Sequence, residues 1–317
     1  MLSATWNPHR SYTDSAPWSF STSTLSAERS KPASGERAGV GEREGAPGEV
    51  HTKRVGTTPA PRSPGGYAPG VLVLLPPSET KADGGKGAPL DLGALSFPEL
   101  NPVRAKLTDA LVELAGDVPA SLSTLGISAR QADEVTRNAQ LCTSPTMPAL
   151  RRYTGVLYDA LDVRGFTRAG LAKAQRRLAV TSALFGVVSA TDPIPAYRLS
   201  GGNTVPALGT VRGLWKPVLE PVLREVEGLV IDLRSGTYAA FAKLRPDAVT
   251  VRVVTEDARG NRTTVSHFNK AYKGKLAAVL ATSRSEPSTV EQLLRVVSNA
   301  GLTVERTGEH ALELLTG

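Results

Sequence analysis

Apolar residues in this chain form short runs and one alternating segment, which predict β-strands separated by turn-forming residues. Val71–Leu75 is continuously apolar and ends at Pro76 and Pro77, as expected for a buried strand followed by a forced turn. Residues 249–255 alternate, and the turn at residues 257–261 predicts a hairpin whose return strand is 263–268. The other predicted strands are residues 229–233 and 302–306.

Segments with helical spacing of apolar residues separate these strands. In Asn101–Leu114, for example, Val103, Leu107 and Leu111 share one face. The predicted helices are Asn101–Leu114, a short helix ending at Leu125, and residues 129–141, 168–184, 214–226, 271–281 and 290–300. Strands and helices are mixed and one strand pair is antiparallel. Residues 71–317 are therefore predicted to form a single α/β (α+β) domain with a mixed β-sheet flanked by helices.

The first seventy residues differ in composition from the rest. Of residues 1–70, 34 are Pro, Gly, Ser or Thr and only 6 are Leu, Ile, Val or Phe, too few to offset the entropy of folding. This segment is therefore predicted to be a disordered extension. Two explanations are open: it is a targeting segment, or the start is mis-assigned and translation begins at Val71.

Charge and cysteine content narrow the functional classes. The chain has 37 basic and 30 acidic residues, and its net charge of +7 permits binding to polyanions. It has one cysteine, Cys142, and no run of 18 apolar residues, which excludes an intramolecular disulfide and a membrane-spanning helix. A cytoplasmic location is expected. The sequence has no P-loop, dinucleotide or metal-ligand motif, so we predict no cofactor and no metal ion.

Two local patterns suit anion binding. Residues 122–135 are typical of a helix-hairpin-helix, in which backbone amides of the turn at Gly126 and of the next helix bind a phosphate. Ser128 stands where such turns have a second glycine, and an ordinary helical corner is the alternative. The second pattern is a basic cluster at the entry to a helix, formed by Lys270, Lys273 and Lys275. Its alternative is a solvated helix face.

Six sequence blocks follow one another along residues 71–317. They are LLPPSETK (74–81), YTGVLY (153–158), SALFGV (182–187), Asp192 with YRL (197–199), Trp215 with DLRS (232–235) and Tyr238, and Lys270 with KGK (273–275). In this order the blocks resemble the YaaA family, the peroxide stress proteins of bacteria. The resemblance implies a cytosolic protein with a mixed α/β fold that limits damage by hydrogen peroxide and is linked to lower free iron.

The resemblance also implies binding of double-stranded or distorted DNA through a basic cleft and a helix-hairpin-helix. Carried over to this chain, it makes the Gly126 turn the hairpin and places Arg198, Lys270 and Lys273 in the cleft. Arg198 can bind a phosphate through two nitrogens, and the adjacent Tyr197 can stack on a base.

The loop after the first predicted strand departs from the family pattern. Many relatives have Ser-Pro-Ala-Lys-Thr there, whereas in this chain Glu79 stands at the lysine and Lys81 follows two residues later. Loops at the carboxyl ends of strands usually form the ligand sites of open α/β sheets. The candidate residues of this loop are therefore Pro77, Ser78, Thr80 and Lys81.

A second hypothesis is an uncharacterised enzyme or a small-anion-binding protein that uses overlapping residues. Its polar set is Thr80, Tyr158, Asp192, Arg198, Tyr238 and Lys270. In an enzyme, Asp192, Tyr158 and Tyr238 are acid–base candidates, and Lys270 is a nucleophile if it is desolvated. Arg198 and Asp192 have the further alternative of a structural ion pair. Convergence of the set in a closed pocket favours this hypothesis, whereas an open groove that reaches the Gly126 turn favours DNA. The oligomeric state stays open.

Overall fold

The computed structural model describes residues 70–264 and 266–316, with the backbone alone at 266–268. The predicted disordered extension, residues 1–70, lies outside the described residues except for Gly70. In the part of the chain that the structure describes, no helix is both long and apolar enough to cross a bilayer.

The described chain contains both strands and helices. The strands are β1 (Val71–Leu75), β2 (Met147–Pro148), β3 (Leu178–Ser182), β4 (Gly186–Ser189), β5 (Pro193–Ile194), β6 (Thr204–Val205), β7 (Gly209–Thr210), β8 (Leu229–Asp232), β9 (Val249–Glu256), β10 (Arg262–Thr264), β11 (Val304–Gly308) and β12 (Ala311–Leu315). The helices are α1 (Asn101–Leu114), α2 (Val118–Leu125), α3 (Asp133–Ala139), α4 (Ala149–Arg152), α5 (Val156–Leu161), α6 (Arg168–Arg177), α7 (Val211–Arg224), α8 (Gly236–Ala239), α9 (Ser266–Thr282) and α10 (Val290–Asn299).

Eight of the described strands form one mixed sheet in the order β11-β12-β9-β8-β1-β3-β4, with β10 paired to β9. The five strands β12, β9, β8, β1 and β3 are parallel to one another. The pairs β3–β4, β9–β10 and β11–β12 are antiparallel. The predicted α/β fold with a mixed sheet and flanking helices is confirmed.

The central strand β1 is buried along its whole length. It pairs with β3 and β8 at its two edges, and α6 and α9 pack against it. All five side chains of this parallel strand are buried, so neither of its faces meets water, which explains why Val71–Leu75 is apolar throughout. In β9, by contrast, buried and exposed residues alternate over its first half, in agreement with the alternation in its sequence.

Two helices hold the turn between β3 and β4 in place. In α1, the Arg104 guanidinium donates through Nε to the Phe185 carbonyl (3.0 Å) and through Nη2 to the Val187 carbonyl (2.8 Å). In α7, the ring of Trp215 packs on Gly186, where an added Cβ would lie 2.7 Å from Cζ3 of the indole. These contacts fix the carboxyl end of β3.

One predicted helix was too long. Residues 168–184 were predicted to be helical, but α6 ends at Arg177 and Leu178–Ser182 forms β3, in register with β1. A short apolar run fits a helix or a strand equally well by periodicity. Residues 178–182 form a strand because they pair with β1, which is distant in sequence.

The C-terminal part differs from the prediction in two places. The return strand of the hairpin is Arg262–Thr264 rather than 263–268, and α9 begins at Ser266 rather than at residue 271. A final strand, Ala311–Leu315, was not predicted. It lies parallel to β9 and antiparallel to β11, so it depends on pairings that its own sequence does not show.

Candidate functional site

The candidate site lies at the carboxyl ends of three neighbouring strands, β8, β1 and β3. The loops that leave these strands are residues 233–235, 76–81 and 183–185. From β1 the chain goes on to β3 at one side, and from β8 it goes on to β9 at the other, so the connections diverge here. Ligands of open α/β sheets bind in the crevice at such a switch point.

Lys81 is the buried cation of this site. Its side chain turns back under the loop, where Nζ donates to the carbonyl oxygens of Ser78 (3.1 Å) and Glu79 (3.3 Å). Nζ also lies 4.2 Å from the centroid of the Tyr197 ring. Burial lowers the pKa of Lys81 to about 7, and the Glu79 carboxylate offsets only part of this effect. At neutral pH a substantial fraction of Lys81 is therefore uncharged.

Three buried hydroxyls form a chain beside Lys81. The Tyr197 hydroxyl lies 2.8 Å from the Tyr153 hydroxyl and 2.8 Å from Oγ of Ser182. Oγ of Ser182 also accepts a hydrogen bond from the Phe185 amide (2.9 Å). Burial raises the pKa of Tyr153 to about 12 and the pKa of Tyr197 well above its ordinary value. The phenols therefore stay protonated at neutral pH and serve as hydrogen-bond donors rather than as bases.

Two further tyrosines from the predicted set border the cluster. Tyr158 stacks on Tyr153, with ring centroids 5.6 Å apart, and its hydroxyl donates to the Pro76 carbonyl (2.8 Å). The Tyr238 hydroxyl accepts a hydrogen bond from the Gly201 amide (3.1 Å). Burial raises the pKa of both phenols. Tyr158 is thus committed to the loop after β1, which weakens its candidacy as an acid or base.

Arg198 and Glu79 form an ion pair at the edge of the cluster. Nη2 of Arg198 lies 3.3 Å from Oε2 of Glu79, and 15% of the Arg198 side chain is exposed against 48% of the Glu79 side chain. Asn138 of α3 fixes the backbone of Arg198: its amide accepts from the Arg198 N–H and donates to the Arg198 carbonyl, each at 2.8 Å. The alternative of an ion pair with Asp192 is wrong, because the ionic partner is Glu79.

The hydroxyls of the loop after β1 meet those of the segment before α5. Oγ1 of Thr80 lies 3.2 Å from Oγ of Ser78 and accepts from the Thr154 hydroxyl (3.1 Å). Gly155 has a left-handed φ of +94°, and a Cβ there would lie 3.3 Å from both Ser78 Oγ and Thr80 Oγ1. Glycine therefore lets the two segments approach. Of the predicted loop residues, Pro77 and Ser78 are half-buried, Thr80 is exposed and Lys81 is buried.

A groove of about 1130 Å³ opens beside this cluster. Tyr153, Thr154 and Tyr158 belong to its lining, whereas Lys81 and Arg198 do not. Its charged lining residues are Asp83, Lys86, Arg151, Asp159, Asp162 and Arg164. Equal numbers of acidic and basic side chains make this groove unlike the basic cleft that the family resemblance implies.

Asp192 lies apart from the hydroxyl and lysine cluster in its contacts. Its carboxylate accepts from the amide and hydroxyl of Ser96 (3.0 and 2.8 Å) and from the Ser189 amide (3.0 Å). Burial raises the pKa of Asp192, and the hydrogen bonds from Ser96 oppose that shift. Three donors that hold a loop indicate a structural carboxylate, so an acid–base role stays a prediction without support from these contacts.

The three predicted lysines of α9 have different environments. Lys273 is half-buried, and its Nζ donates to the carbonyl oxygens of Leu233 (3.0 Å) and Arg234 (3.1 Å) at the end of β8. Burial lowers the pKa of Lys273. Lys270 and Lys275 are exposed. Lys270 is therefore not the desolvated lysine that a nucleophile requires. Burial lowers the pKa of Lys273 and of Lys81, and Lys81 is the more deeply buried of the two.

Two short helices, α2 and α3, flank Gly126, which has a φ of +64° and ends α2. A helix-hairpin-helix at this place stays a prediction. The amides of Gly126 and Ile127 donate back into α2, and the Ser128 amide donates to Oε1 of Gln131 (3.3 Å). These donors are therefore engaged within the protein. The two helices contact the segment 198–203, called the Arg198 segment below, at two places. Asn138 of α3 donates to the Arg198 carbonyl (2.8 Å), and Nδ2 of Asn203 donates to the carbonyl of Thr124 in α2 (3.1 Å).

Residue patterns pointed to part of this site only. Five of the residues predicted as site candidates lie around the loop after β1: Thr80, Lys81, Tyr158, Arg198 and Tyr238. Ser182, Tyr153 and Asn138 were not singled out, although the first two lie in the blocks that resemble the family. Membership of those blocks is the signal that could have identified them.

Comparison with known proteins covers most of the described fold. Residues 71–307 match the family model described as peroxide stress protein YaaA. A UPF0246 protein of Corynebacterium glutamicum is 49% identical over 244 residues, covering 76% of this chain and 97% of that protein. A UPF0246 protein of Streptomyces coelicolor is 43% identical over 242 residues (74% and 92%). An uncharacterized protein of Campylobacter jejuni is 27% identical over 238 residues (73% and 93%).

Proposed function

Because the chain belongs to the YaaA family of peroxide stress proteins, we propose that it acts in the response to peroxide through a small-anion site centred on Lys81. The observation that carries this proposal is the burial of Lys81 against Tyr197, beside the Arg198 guanidinium. Buried lysines with a lowered pKa accept and return protons near neutral pH. The proposed compartment is the cytoplasm.

The chemistry that these residues support is proton transfer on a small anionic molecule. Arg198 supplies the positive charge that attracts the anion. Lys81, partly uncharged at neutral pH, takes or gives the proton. The hydroxyls of Ser182, Tyr153 and Tyr197 form a buried chain that orients a bound polar group or passes the proton on.

The test is survival under hydrogen peroxide of a bacterial strain that lacks its own family member. The wild-type chain should restore survival, and Lys81→Met should remove that effect. Tyr197→Phe, which deletes one hydroxyl and keeps the ring, should reduce the effect in part. The matched control is Lys216→Met, since Lys216 is exposed on α7. Circular dichroism confirms that each variant is folded. Full protection by folded Lys81→Met would refute the Lys81 site.

DNA binding is a second proposal, favoured by one observation: the predicted hairpin is joined to the Arg198 segment through Asn138 and Asn203. Lys270 and Lys275 add exposed positive charge on α9. The buried ring of Tyr197 is 1% exposed, which leaves it unable to stack on a base. A DNA contact would therefore depend on cations and phosphates, not on base stacking.

Fluorescence anisotropy with intact and bulged duplexes across a salt series tests this second proposal. Binding should weaken steeply with salt, and each phosphate that a variant no longer neutralises should lower the slope of log affinity against log salt by about 0.9. The double variant Lys270→Ala, Lys275→Ala should therefore show a smaller slope than the control Lys216→Ala. Equal slopes would remove α9 from the DNA surface.

The link to free iron is proposed to be indirect. Within residues 70–264 and 266–316, no group of three or more His, Cys, Asp or Glu side chains is placed to hold a metal ion. Protection from iron-linked damage would then follow from the reaction at Lys81 or from shielding of DNA.

A further inference from the structure

Of the two nitrogen atoms on one side of the Arg198 guanidinium, Nε and Nη2, only Nη2 lies near a carboxylate. Its Nη2 contacts the Glu79 carboxylate at 3.3 Å. Its Nε is buried and has no hydrogen-bond partner among the described residues. A carboxylate that faces the guanidinium side-on contacts Nε and Nη2 together. The Glu79 carboxylate therefore leaves one buried donor of the fork unpaired, and an unpaired buried donor is unfavourable.

The two partners of this ion pair differ in how firmly they are held. Asn138 hydrogen-bonds both backbone groups of Arg198 at 2.8 Å, and the Arg198 side chain is 15% exposed. The Glu79 side chain is 48% exposed and extends from the loop after β1. Arg198 is thus the fixed half of the pair, and Glu79 is the half that can leave without uncovering the protein interior.

The Glu79 carboxylate also stands near the other groups of the site. Its charge raises the pKa of Lys81, and it adds to the effect of burial on the pKa values of Tyr153 and Tyr238. A single negative charge therefore acts on a lysine and two phenols besides Arg198. Of these four groups, the Arg198 guanidinium is the one that the Glu79 carboxylate contacts, at 3.3 Å.

We propose that Glu79 is an exchangeable occupant of an oxyanion subsite, and that the carboxylate or phosphate of a ligand displaces it to bind Arg198 through Nε and Nη2. This inference rests on the proposed small-anion site and names its ligand class. It also assigns Glu79 a regulatory role, because the ligand must compete with a carboxylate of the protein itself. After this exchange, the negative charge that acts on Lys81 is that of the ligand instead of that of Glu79.

Isothermal titration of the full chain with two probes, inorganic phosphate and acetate, tests the subsite. Glu79→Gln removes the competing charge with nearly the same shape, so at least one probe should bind about tenfold more tightly. Arg198→Lys keeps the charge but loses the planar fork, and binding should weaken about tenfold. A gain with phosphate alone identifies a phosphate ligand, and a gain with acetate alone identifies a carboxylate.

The matched controls are Glu220→Gln and Arg224→Lys, which alter the surface ion pair of α7, whose closest atoms are 2.6 Å apart. Neither control should change the affinity for either probe. The inference is overturned if Glu79→Gln gives no gain, if Arg198→Lys binds as the wild type does, or if neither probe binds any variant.

Failure of this inference is distinguishable from failure of the proposed function. If Lys81→Met abolishes protection from peroxide while Glu79→Gln gains no affinity, the Lys81 site stands and the subsite is wrong. If the affinities change as expected while Lys81→Met protects fully, the subsite stands and the function assigned to Lys81 is wrong.

Discussion

The side-chain amide of Asn138 hydrogen-bonds the backbone N–H and the backbone carbonyl of Arg198, each at 2.8 Å. Asn138 lies on α3, the second helix of the predicted hairpin, and Arg198 lies at the candidate site. The α3 helix therefore supports the candidate site, because its Asn138 side chain fixes the Arg198 backbone.

Replacement of Asn138 by alanine should destabilise the protein. Both Arg198 backbone groups lose their partner, and burial of unpaired polar groups costs about 2 kcal/mol in the free energy of unfolding. Urea denaturation followed by circular dichroism measures the change. Asn299→Ala, at an exposed position on α10, is the control and should change stability little. Equal stabilities would show that water replaces the missing hydrogen bonds.

Stability should depend on pH through Lys81. Burial lowers the pKa of Lys81 from 10.5 to about 7, so between these values the unfolded chain binds more protons than the folded one. The free energy of unfolding should therefore rise with pH in this window, by about 2 kcal/mol from about pH 7 to about pH 9. Below the window the cost of the buried charge is fully present.

Denaturation at several pH values compares the wild type with Lys81→Met and with the control Lys216→Met. The rise attributed to Lys81 should disappear in Lys81→Met and persist in Lys216→Met. Lys273, whose pKa burial also lowers, should leave a part of the rise in Lys81→Met. A rise in Lys81→Met as large as that of the wild type would contradict the lowered pKa of Lys81.

Gly155→Ala should destabilise the loop that holds Lys81. Alanine disfavours the φ of +94°, and its Cβ would crowd the hydroxyls of Ser78 and Thr80 at 3.3 Å. We expect a loss of about 1–2 kcal/mol, measured as a lower midpoint in thermal unfolding. Gly202→Ala is the control, because an added Cβ there meets no atom within 4 Å. A stabilising effect at Gly155 would contradict the close approach.

Arg152 should be more important for stability than its neighbour Arg151. The buried Arg152 guanidinium donates to the carbonyl oxygens of Ala82 (2.5 Å), Pro145 (3.1 Å) and Ile194 (3.1 Å). Arg152→Lys cannot satisfy all three and should cost about 3 kcal/mol. Arg151→Lys, at an exposed position, should cost little. Calorimetric melting of the two variants gives the comparison.

Local sequence was sufficient for elements that carry their own pattern. Asn101–Leu114 has the predicted bounds, and Val71–Leu75 forms the predicted buried strand. The apolar run Leu178–Ser182 was assigned to a helix, because periodicity cannot distinguish its two possibilities. Ala311–Leu315 was missed for a related reason: its pairing partner β9 is remote in the chain.

For the site, the sequence by itself determined which residue types were available and that the loop after the first strand would face a ligand crevice. The tertiary structure alone decided their states. Lys81 became the desolvated lysine and Lys270 stayed in water, because the loop folds Lys81 under Tyr197 whereas Lys270 projects from α9. Desolvation and charge pairing depend on neighbours that the fold brings together from distant parts of the chain. Local residue patterns do not specify which of these residues become neighbours.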